Sequence, residues 1–230
     1  TRDPIGVVGV ITPWNFPLNL ASRKIGPALA AGNAVVFKPS PMTPLMGDRL
    51  ASAFIDAGLP PGVLNVVHGF GAGAHLTADE RVGAITFTGS NATGRKIHAA
   101  VGVGRRGQLE LGGKNPVVVL ADADLDAAAA VVARSSFSLT GQACTGAGRI
   151  IVDRSVHDEF VAKVVALAER YVVGPGHRDG VTMGPLVDEH AVAAMEAAVA
   201  QARADGADVV TGGSRPDGDD LAHGCYFPPT

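Results

Sequence analysis

The chain has 230 residues, a hydrophobic content of 47% and a formal net charge of -3 at pH 7. This length allows one large or two small domains, and the apolar content is ordinary for a chain that folds around a core. The 19 lysines and arginines are scattered rather than clustered. The sequence therefore predicts no nucleic-acid partner and no membrane partner, and a small molecule is the expected partner.

Hydropathy and cysteine usage give an expectation about location. No apolar run reaches the roughly 20 residues that span a bilayer, and the start of the sequence lacks the pattern of a signal peptide, so a cytoplasmic location is expected. Cys144 and Cys225 are too few for a disulfide framework. No H-x-x-x-H or C-x-x-C spacing occurs, so no metal site is expected.

Short β-branched runs alternate with helical patterns through the first half of the chain. The runs GVVGVIT, NAVVFKPS, GVLNVVHG and VGAITFTGS are typical of buried strands. Helices are predicted over about 17–31, 43–57 and 91–100. This alternation predicts an α/β fold with a Rossmann-type parallel sheet and helices on both faces, which binds ligands at the carboxyl ends of its strands.

The second half continues with a strand after Pro116, in VVVLADADLD, and a helix with an apolar face. Ser155 and Asp158 form a pattern typical of a capping box at the start of the next helix. A last helix is predicted over about 188–205, and GGSRPDGDDLAHG is predicted to be a polar loop.

Two segments place a polar side chain directly after a strand. In TPWNFP, prolines on both sides hold Asn15, whose amide can donate to a developing negative oxygen; the alternative is a plain asparagine turn. In FKPS, Lys38 ends an apolar run and can reach hydroxyls or a phosphate beyond the sheet edge; the alternative is a solvated lysine.

Two further segments suit anion binding and proton transfer. In FTGSNATG, Gly89 and Ser90 stand where a strand turns into a helix, and their backbone N–H groups suit an anion; the alternative is a serine N-cap. In LELGGKNP, Glu110 lies inside an apolar strand. We expect this carboxylate to be desolvated, which would raise its pKa toward that of a general base; the alternative is an ion-paired structural glutamate.

Cys144 stands in LTGQACTGAGR, among small residues that leave a sulfur approachable. Reactive thiols need thiolate character, which an exposed or cation-flanked loop provides better than a core does. Gly141 and Gly146 are expected to keep bulk away from the sulfur. The alternative is an ordinary core cysteine.

Taken together and in this order, TPWNFP, FKPS, FTGS, LELGGKNP and GQAC resemble the NAD(P)-dependent aldehyde dehydrogenase superfamily. The resemblance implies that Cys144 is the nucleophile, which attacks the aldehyde to give a thiohemiacetal and then a thioester. It implies that Glu110 is the general base for hydrolysis. Asn15, with the backbone N–H of Cys144, is implied to form the oxyanion hole.

The same resemblance implies a cofactor, either NAD or NADP, and an aldehyde substrate. Lys38 is similar to the family's ribose-binding lysine. The complete implied cofactor-binding set is Trp14, Lys38, Ser40, Gly89, Ser90, Gly94, Leu111 and Gly112.

The sequence also departs from the family's pattern. Many NAD-preferring members carry a glutamate three residues after the lysine, and here that residue is Pro41, so NAD and NADP both stay open. CTGAGR differs from the common CTA continuation, although Arg149 is in place. Family members are longer, and the E-x-F-G-P segment, whose glutamate holds the nicotinamide ribose, would follow Thr230.

The resemblance thus implies most of a cofactor domain, 1–112, and the first part of a catalytic domain, 113–230. For the full-length parent it implies a homo-oligomer. LELGGKNP, TGQACT and HDEF resemble dehydrogenases of α-ketoglutaric semialdehyde in sugar-acid breakdown.

Two alternative functions stay open. Relatives that pass the acyl group to coenzyme A generally lack a base at the ELGG position, so Glu110 argues against that class. A truncated chain without activity is the other alternative. Titration with NAD and NADP separates it from an enzyme, because an inert fragment binds neither.

Overall fold

The computed structural model describes residues 3–230, and the structure divides into two compact units after Gly112. The described part of the N-terminal unit contains nine elements in alternation. They are β1 (Val7–Ile11), α1 (Asn19–Ala30), β2 (Ala34–Lys38), α2 (Pro44–Asp56), β3 (Leu64–Val66), α3 (Ala72–Ala78), β4 (Ala84–Gly89), α4 (Asn91–Val101) and β5 (Arg106–Leu111).

These five strands form one parallel sheet in the order β3-β2-β1-β4-β5. The chain runs outward from β1 to β3 and then returns to β4 on the other side of β1. Because crossovers between parallel strands are right-handed, α1 and α2 cover one face and α3 and α4 cover the other. The predicted doubly wound sheet is confirmed, and its connections diverge between β1 and β4, where such sheets bind ligands.

Alternating side chains of the central strands fill both faces of this sheet. Val10 and Phe37 are fully buried on one face, against Ile25 of α1. Ile85 and Ile97 belong to the cluster on the other face. Strands that are buried on both faces need the near-continuous apolar runs that the sequence has.

The C-terminal unit is built around a smaller parallel pair of strands. Its described elements are β6 (Asn115–Val119), α5 (Leu125–Phe137), a 3₁₀ turn (Ser138–Gly141), β7 (Ala147–Val152), α6 (His157–Ala168), α7 (Glu189–Ala204) and α8 (Asp219–Ala222). β6 pairs with β7. Val132 of α5 and Phe160 of α6 are buried in one cluster with Val119, and Val192 of α7 is buried in a second cluster.

Aspartates begin two of these helices. The Asp124 carboxylate accepts a hydrogen bond from the backbone N–H of Ala127 at 3.0 Å, and Asp188 accepts one from Ala191 at 2.8 Å. Such caps satisfy N–H groups that have no partner inside the helix. The predicted helix over about 188–205 is therefore present, with Asp188 as its cap.

Two local predictions are wrong. Ser155 does not cap α6, because its hydroxyl donates to the Asp153 carboxylate at 2.6 Å, and the helix begins after Val156 without a side-chain cap. The predicted polar loop near the end contains α8, a single helical turn. Within the described residues, no helix is long and apolar enough to cross a bilayer.

Candidate catalytic and cofactor-binding residues

Strand register brings several of the predicted residues to the carboxyl edge of the five-stranded sheet, which we call the sheet edge. Lys38 ends β2 opposite Ile11 of β1, and Gly89 ends β4 opposite Leu111 of β5. Glu110 lies opposite Thr88. Parallel strands present their carboxyl ends at one edge, so these residues lie along that edge because of topology alone.

Trp14 and Asn15 follow β1 at the sheet edge and are half-buried. The backbone N–H of Thr12 donates to the carbonyl oxygen of Lys38 at 3.2 Å, which extends the β1–β2 pairing by one residue. Pro13 then ends the ladder, because proline has no N–H group to donate. The TPWNFP segment is therefore held where the sheet stops.

Lys38 is not a solvated lysine, because only 7% of its surface is exposed. Burial lowers the pKa of its ammonium group, since a charge is less stable away from water. Within residues 3–230, this ammonium makes no hydrogen bond or ion pair. Ser40, two residues later, is also buried, and its hydroxyl accepts a hydrogen bond from the N–H of Met42 at 3.2 Å.

Ser90 caps α4, so the alternative of a serine N-cap is present in the structure. Its hydroxyl accepts a hydrogen bond from the N–H of Thr93 at 3.3 Å and donates to the Thr93 hydroxyl at 3.0 Å. Gly94 is buried in α4, and a side chain there would collide with Leu111. Gly94 therefore allows α4 to pack closely on β5. Gly112, the next residue after that strand, is exposed.

The expectation that Glu110 is desolvated is wrong, because its side chain is exposed in the structure. β5 is the outermost strand of the sheet and pairs with a neighbour, β4, on one side only. A partly buried chain of polar side chains lies nearby instead. The ammonium of Lys24 donates to the Thr86 hydroxyl at 2.9 Å, and that hydroxyl donates to the side-chain oxygen of Gln108 at 2.7 Å.

Lys24 was not identified from the sequence, where it is one cation in a mixed helix. Burial lowers the pKa of Lys24, and the negative charge of Glu110 acts in the opposite direction. Glu110 therefore interacts electrostatically with a buried cation of the same unit.

Cys144 is exposed, as predicted for a reactive thiol and contrary to the alternative of a core cysteine. It lies in residues 139–146 of the C-terminal unit, which we call the cysteine loop. The loop begins with three residues of left-handed backbone conformation, at φ values of 54° for Leu139, 57° for Thr140 and 69° for Gly141. Left-handed conformations in residues other than glycine cost free energy and occur where surrounding contacts enforce them.

Gly141 and Gly146 are required by the backbone path of the loop. A Cβ at Gly141 would lie 3.2 Å from the carbonyl oxygen of Ser136, and a Cβ at Gly146 would lie 3.1 Å from that of Ser135. Both carbonyls belong to the last turns of α5. The glycines therefore let the loop run close to the end of this helix.

Side chains from distant positions fix the loop. The Asn115 amide nitrogen donates to the carbonyl oxygens of Cys144 and Gly146, both at 2.8 Å. The Gln142 side-chain oxygen accepts the N–H of Val187 at 2.9 Å, and the Thr140 hydroxyl donates to a backbone carbonyl at 3.1 Å. These roles could not be predicted from the sequence, since no local pattern indicates partners 29 to 45 positions away.

No group of three or more histidines, cysteines and carboxylates within the described residues could hold a metal ion. The groups suited to a cofactor are at the sheet edge. Lys38 offers a buried positive charge there, and α4 presents its first N–H groups after Ser90. This combination suits the hydroxyls and phosphates of a dinucleotide.

A doubly wound parallel sheet with a buried lysine at its carboxyl edge is typical of a dinucleotide-binding domain. The sequence model of the aldehyde dehydrogenase family matches residues 1–230, and the chain belongs to that family. It is 47% identical over 234 residues to 2-hydroxymuconic semialdehyde dehydrogenase of Pseudomonas putida, covering 100% of this chain and 48% of that protein. The chain thus spans about half the length of the curated relatives it matches.

Two solved structures are similar throughout. A structure of 3,6-anhydro-L-galactose dehydrogenase in complex with NAP has a TM-score of 0.94 at 43% identity, with coverage of 99% of this chain and 48% of that one. Betaine aldehyde dehydrogenase of Staphylococcus aureus, in complex with NAD⁺ and with a BME-modified cysteine, has a TM-score of 0.94 at 37% identity, with coverage of 98% and 47%. The predicted family and fold are confirmed.

Proposed function

We propose that the intact protein oxidises an aldehyde to a carboxylic acid with NAD or NADP, through a covalent intermediate on Cys144. The observation that carries this proposal is the exposed thiol of Cys144 in a loop held on several sides by hydrogen bonds. Family membership supplies the reaction class. The solved neighbours bound NAP in one case and NAD⁺ in the other, which supports both cofactors equally.

The cofactor, when bound, accepts the hydride that the substrate carbon loses. We assign its binding to the sheet edge, where Lys38 would donate to ribose hydroxyls and the N–H groups at the start of α4 would face the phosphates. A lysine held in a dry position loses little freedom on binding a ligand. Pro41 offers no carboxylate to repel a 2′-phosphate, so the proposal covers both cofactors.

The thiolate of Cys144 would attack the aldehyde carbon and form the thiohemiacetal. The negative oxygen that results needs hydrogen-bond donors, and we assign that role to the Asn15 amide and the backbone N–H of Cys144. Loss of hydride leaves a thioester on the same sulfur. The donors are needed again when water attacks that thioester.

Glu110 would take the proton from the attacking water. Its exposed carboxylate is accessible to solvent, which suits a base whose partner is water rather than a buried substrate. The acid then leaves, the thiolate of Cys144 is restored and Glu110 releases its proton to solvent. One aldehyde and one water thus give one acid and one solvent proton, while a hydride, which is two electrons and one proton, passes to the cofactor.

For the substrate, we propose a semialdehyde that carries a carboxylate, in the class of α-ketoglutaric semialdehyde. The resemblance of LELGGKNP, TGQACT and HDEF supports this class, as does the semialdehyde named for the Pseudomonas putida relative. We also infer a cytoplasmic homo-oligomer for the intact protein.

The first experiment compares the two cysteines of the intact protein against a panel of aldehydes with NAD and with NADP. Cys144→Ala is expected to abolish turnover, because no other group forms the thiohemiacetal. Cys225→Ala is the matched control, since Cys225 is half-buried in the same unit, and it should retain full activity. Turnover that survives Cys144→Ala would refute the proposal.

The second experiment separates the two half-reactions. Glu110→Gln should keep hydride transfer but slow hydrolysis of the thioester. A burst of about one reduced cofactor per subunit should therefore precede a steady-state rate that is lower than that of the wild type by on the order of 10²-fold or more. Stopped-flow absorbance at 340 nm measures both phases. An unchanged steady state would remove Glu110 from the role of base.

A further inference from the structure

The side chain of Asn115 contacts the cysteine loop directly. It is the first residue of β6, and its amide nitrogen lies 2.8 Å from the carbonyl oxygen of Cys144 and 2.8 Å from that of Gly146. An asparagine amide carries two N–H donors, and both are used here. Since both partners are carbonyl oxygens, only the nitrogen can face them, so the orientation of the amide is determined by chemistry.

Backbone hydrogen bonds between β6 and β7 cannot hold the loop at this position. The β6–β7 pairing begins at Asn115 and Ala147 and then shifts by one residue, so that Pro116 lies opposite Arg149. Pro116 has no N–H group to donate, and the cysteine loop lies just before β7 starts. The side chain of Asn115 thus continues the pairing into a region where backbone hydrogen bonds stop.

Both ends of the cysteine loop are fixed by other hydrogen bonds. Gln142 accepts from Val187 at 2.9 Å, and the backbone N–H of Ala147 donates to the Ser135 hydroxyl at 3.1 Å. These bonds do not reach the backbone of Cys144 in the middle of the loop. In the described structure, the hydrogen bond from the Asn115 amide holds the carbonyl oxygen of that residue.

We propose that Asn115 is a positioning residue for the proposed reaction. By holding the carbonyl of Cys144, it sets the backbone torsions of that residue and therefore the directions of its N–H group and its sulfur. The inference rests on the proposed function, in which both groups act on the substrate. A displacement of about 1 Å at reacting atoms can cost on the order of 10²-fold in rate.

Two variants of nearly equal size in the intact protein test this role. Asn115→Asp keeps the shape but, when ionised, sets a carboxylate oxygen against two carbonyl oxygens. Asn115→Leu removes the donors without adding repulsion. We expect kcat to fall about tenfold in Asn115→Leu and on the order of 10²-fold in Asn115→Asp, with KM for NAD changed less than twofold. The matched control is Asn65→Asp, because the Asn65 amide also donates to a backbone carbonyl, that of Gly62, at 2.8 Å.

Activities are compared at a temperature well below the melting point of each variant, so that unfolded protein does not contribute. If Asn115 only fills space, the isosteric Asn115→Asp is the milder variant and its kcat stays within threefold of the wild type, which overturns the proposal. The rate of Cys144 alkylation by iodoacetamide, followed by mass spectrometry, is read in parallel.

This second measurement separates the two proposals. If wild type and Asn65→Asp both lack Cys144-dependent aldehyde oxidation, the proposed function fails. Positioning by Asn115 is then judged by alkylation alone. A rate changed at least threefold in both Asn115 variants and unchanged in Asn65→Asp supports it, and an unchanged rate overturns it.

Discussion

The sheet edge and the cysteine loop are held by different kinds of interaction. At the sheet edge, backbone ladders place Lys38 opposite Ile11 and Gly89 opposite Leu111, whatever their side chains are. In the cysteine loop, individual side chains such as Asn115 fix the backbone. Substitutions at the sheet edge should therefore change chemistry and leave geometry intact, whereas substitutions in and around the loop should change geometry itself.

Asn15→Ala is expected to have the largest effect and to affect chemistry alone. Removing one donor to the negative oxygen should lower kcat of the intact protein by on the order of 10²–10³-fold. The melting temperature should change little, because the β1–β2 ladder that carries the TPWNFP segment remains. Steady-state kinetics and thermal unfolding measure the two effects separately.

Asn19→Ala is the matched control, since Asn19 is exposed at the start of α1, four residues later. Its kcat should equal that of the wild type. If both variants lose activity equally, the Asn15 amide has no special role in stabilising the oxyanion.

Gly141→Ala tests the loop through its backbone. Gly141 has a φ of 69°, and a Cβ there would lie 3.2 Å from the Ser136 carbonyl oxygen. A left-handed conformation costs a residue other than glycine roughly 1–2 kcal/mol, so the free energy of unfolding should fall by about that amount. Denaturant unfolding measures it, and kcat should fall as well because the loop moves.

Gly176→Ala is the control for this substitution. No atom outside its chain neighbours lies within 4 Å of a Cβ at Gly176, and its φ is outside the left-handed region. Equal stabilities of the two alanine variants would mean that the loop backbone relaxes freely, and the contrast between ladder and loop would be lost.

The same contrast explains what the sequence could predict. Alternating apolar runs determine strands, and strand order with right-handed crossovers brings Asn15, Lys38 and Ser90 to one edge without knowledge of any side-chain contact. Cys144 was predicted to be exposed because its neighbours are small, and it is.

What failed depends on contacts between distant positions. The exposure of Glu110 follows from the edge position of β5, which the run LELGG does not reveal. The capping pattern at Ser155 is the exception, because it failed through a local contact: its hydroxyl donates to Asp153, two residues earlier. The partners of Asn115 and Gln142 lie 29 and 45 positions away, and no periodicity records such pairs.

Lys38→Met is expected to change stability less than Gly141→Ala does, and with the opposite sign. Lys38 holds a charge in a place where burial lowers its pKa. Replacement by an apolar side chain of similar length removes that desolvation cost, so the free energy of unfolding at pH 7 should rise by on the order of 1 kcal/mol. Affinity for NAD and NADP should fall at the same time, which titration calorimetry measures.

The pH dependence identifies the cause of this stabilisation. Since the folded pKa of Lys38 lies below the ordinary 10.5, the unfolded chain binds more protons between those two values, and wild-type stability gains from Lys38 as pH rises through that window. The advantage of Lys38→Met should therefore shrink toward pH 10.

Lys163→Met is the control with the opposite sign, because a hydrogen bond to Asp126 raises the pKa of Lys163. That bond stabilises the fold below pH 10.5 and is lost above it, so Lys163→Met should show no stability advantage at pH 7. An advantage of Lys38→Met that stays constant with pH would assign it to packing, and Lys38 would then be a residue of the core rather than a charge kept for the cofactor.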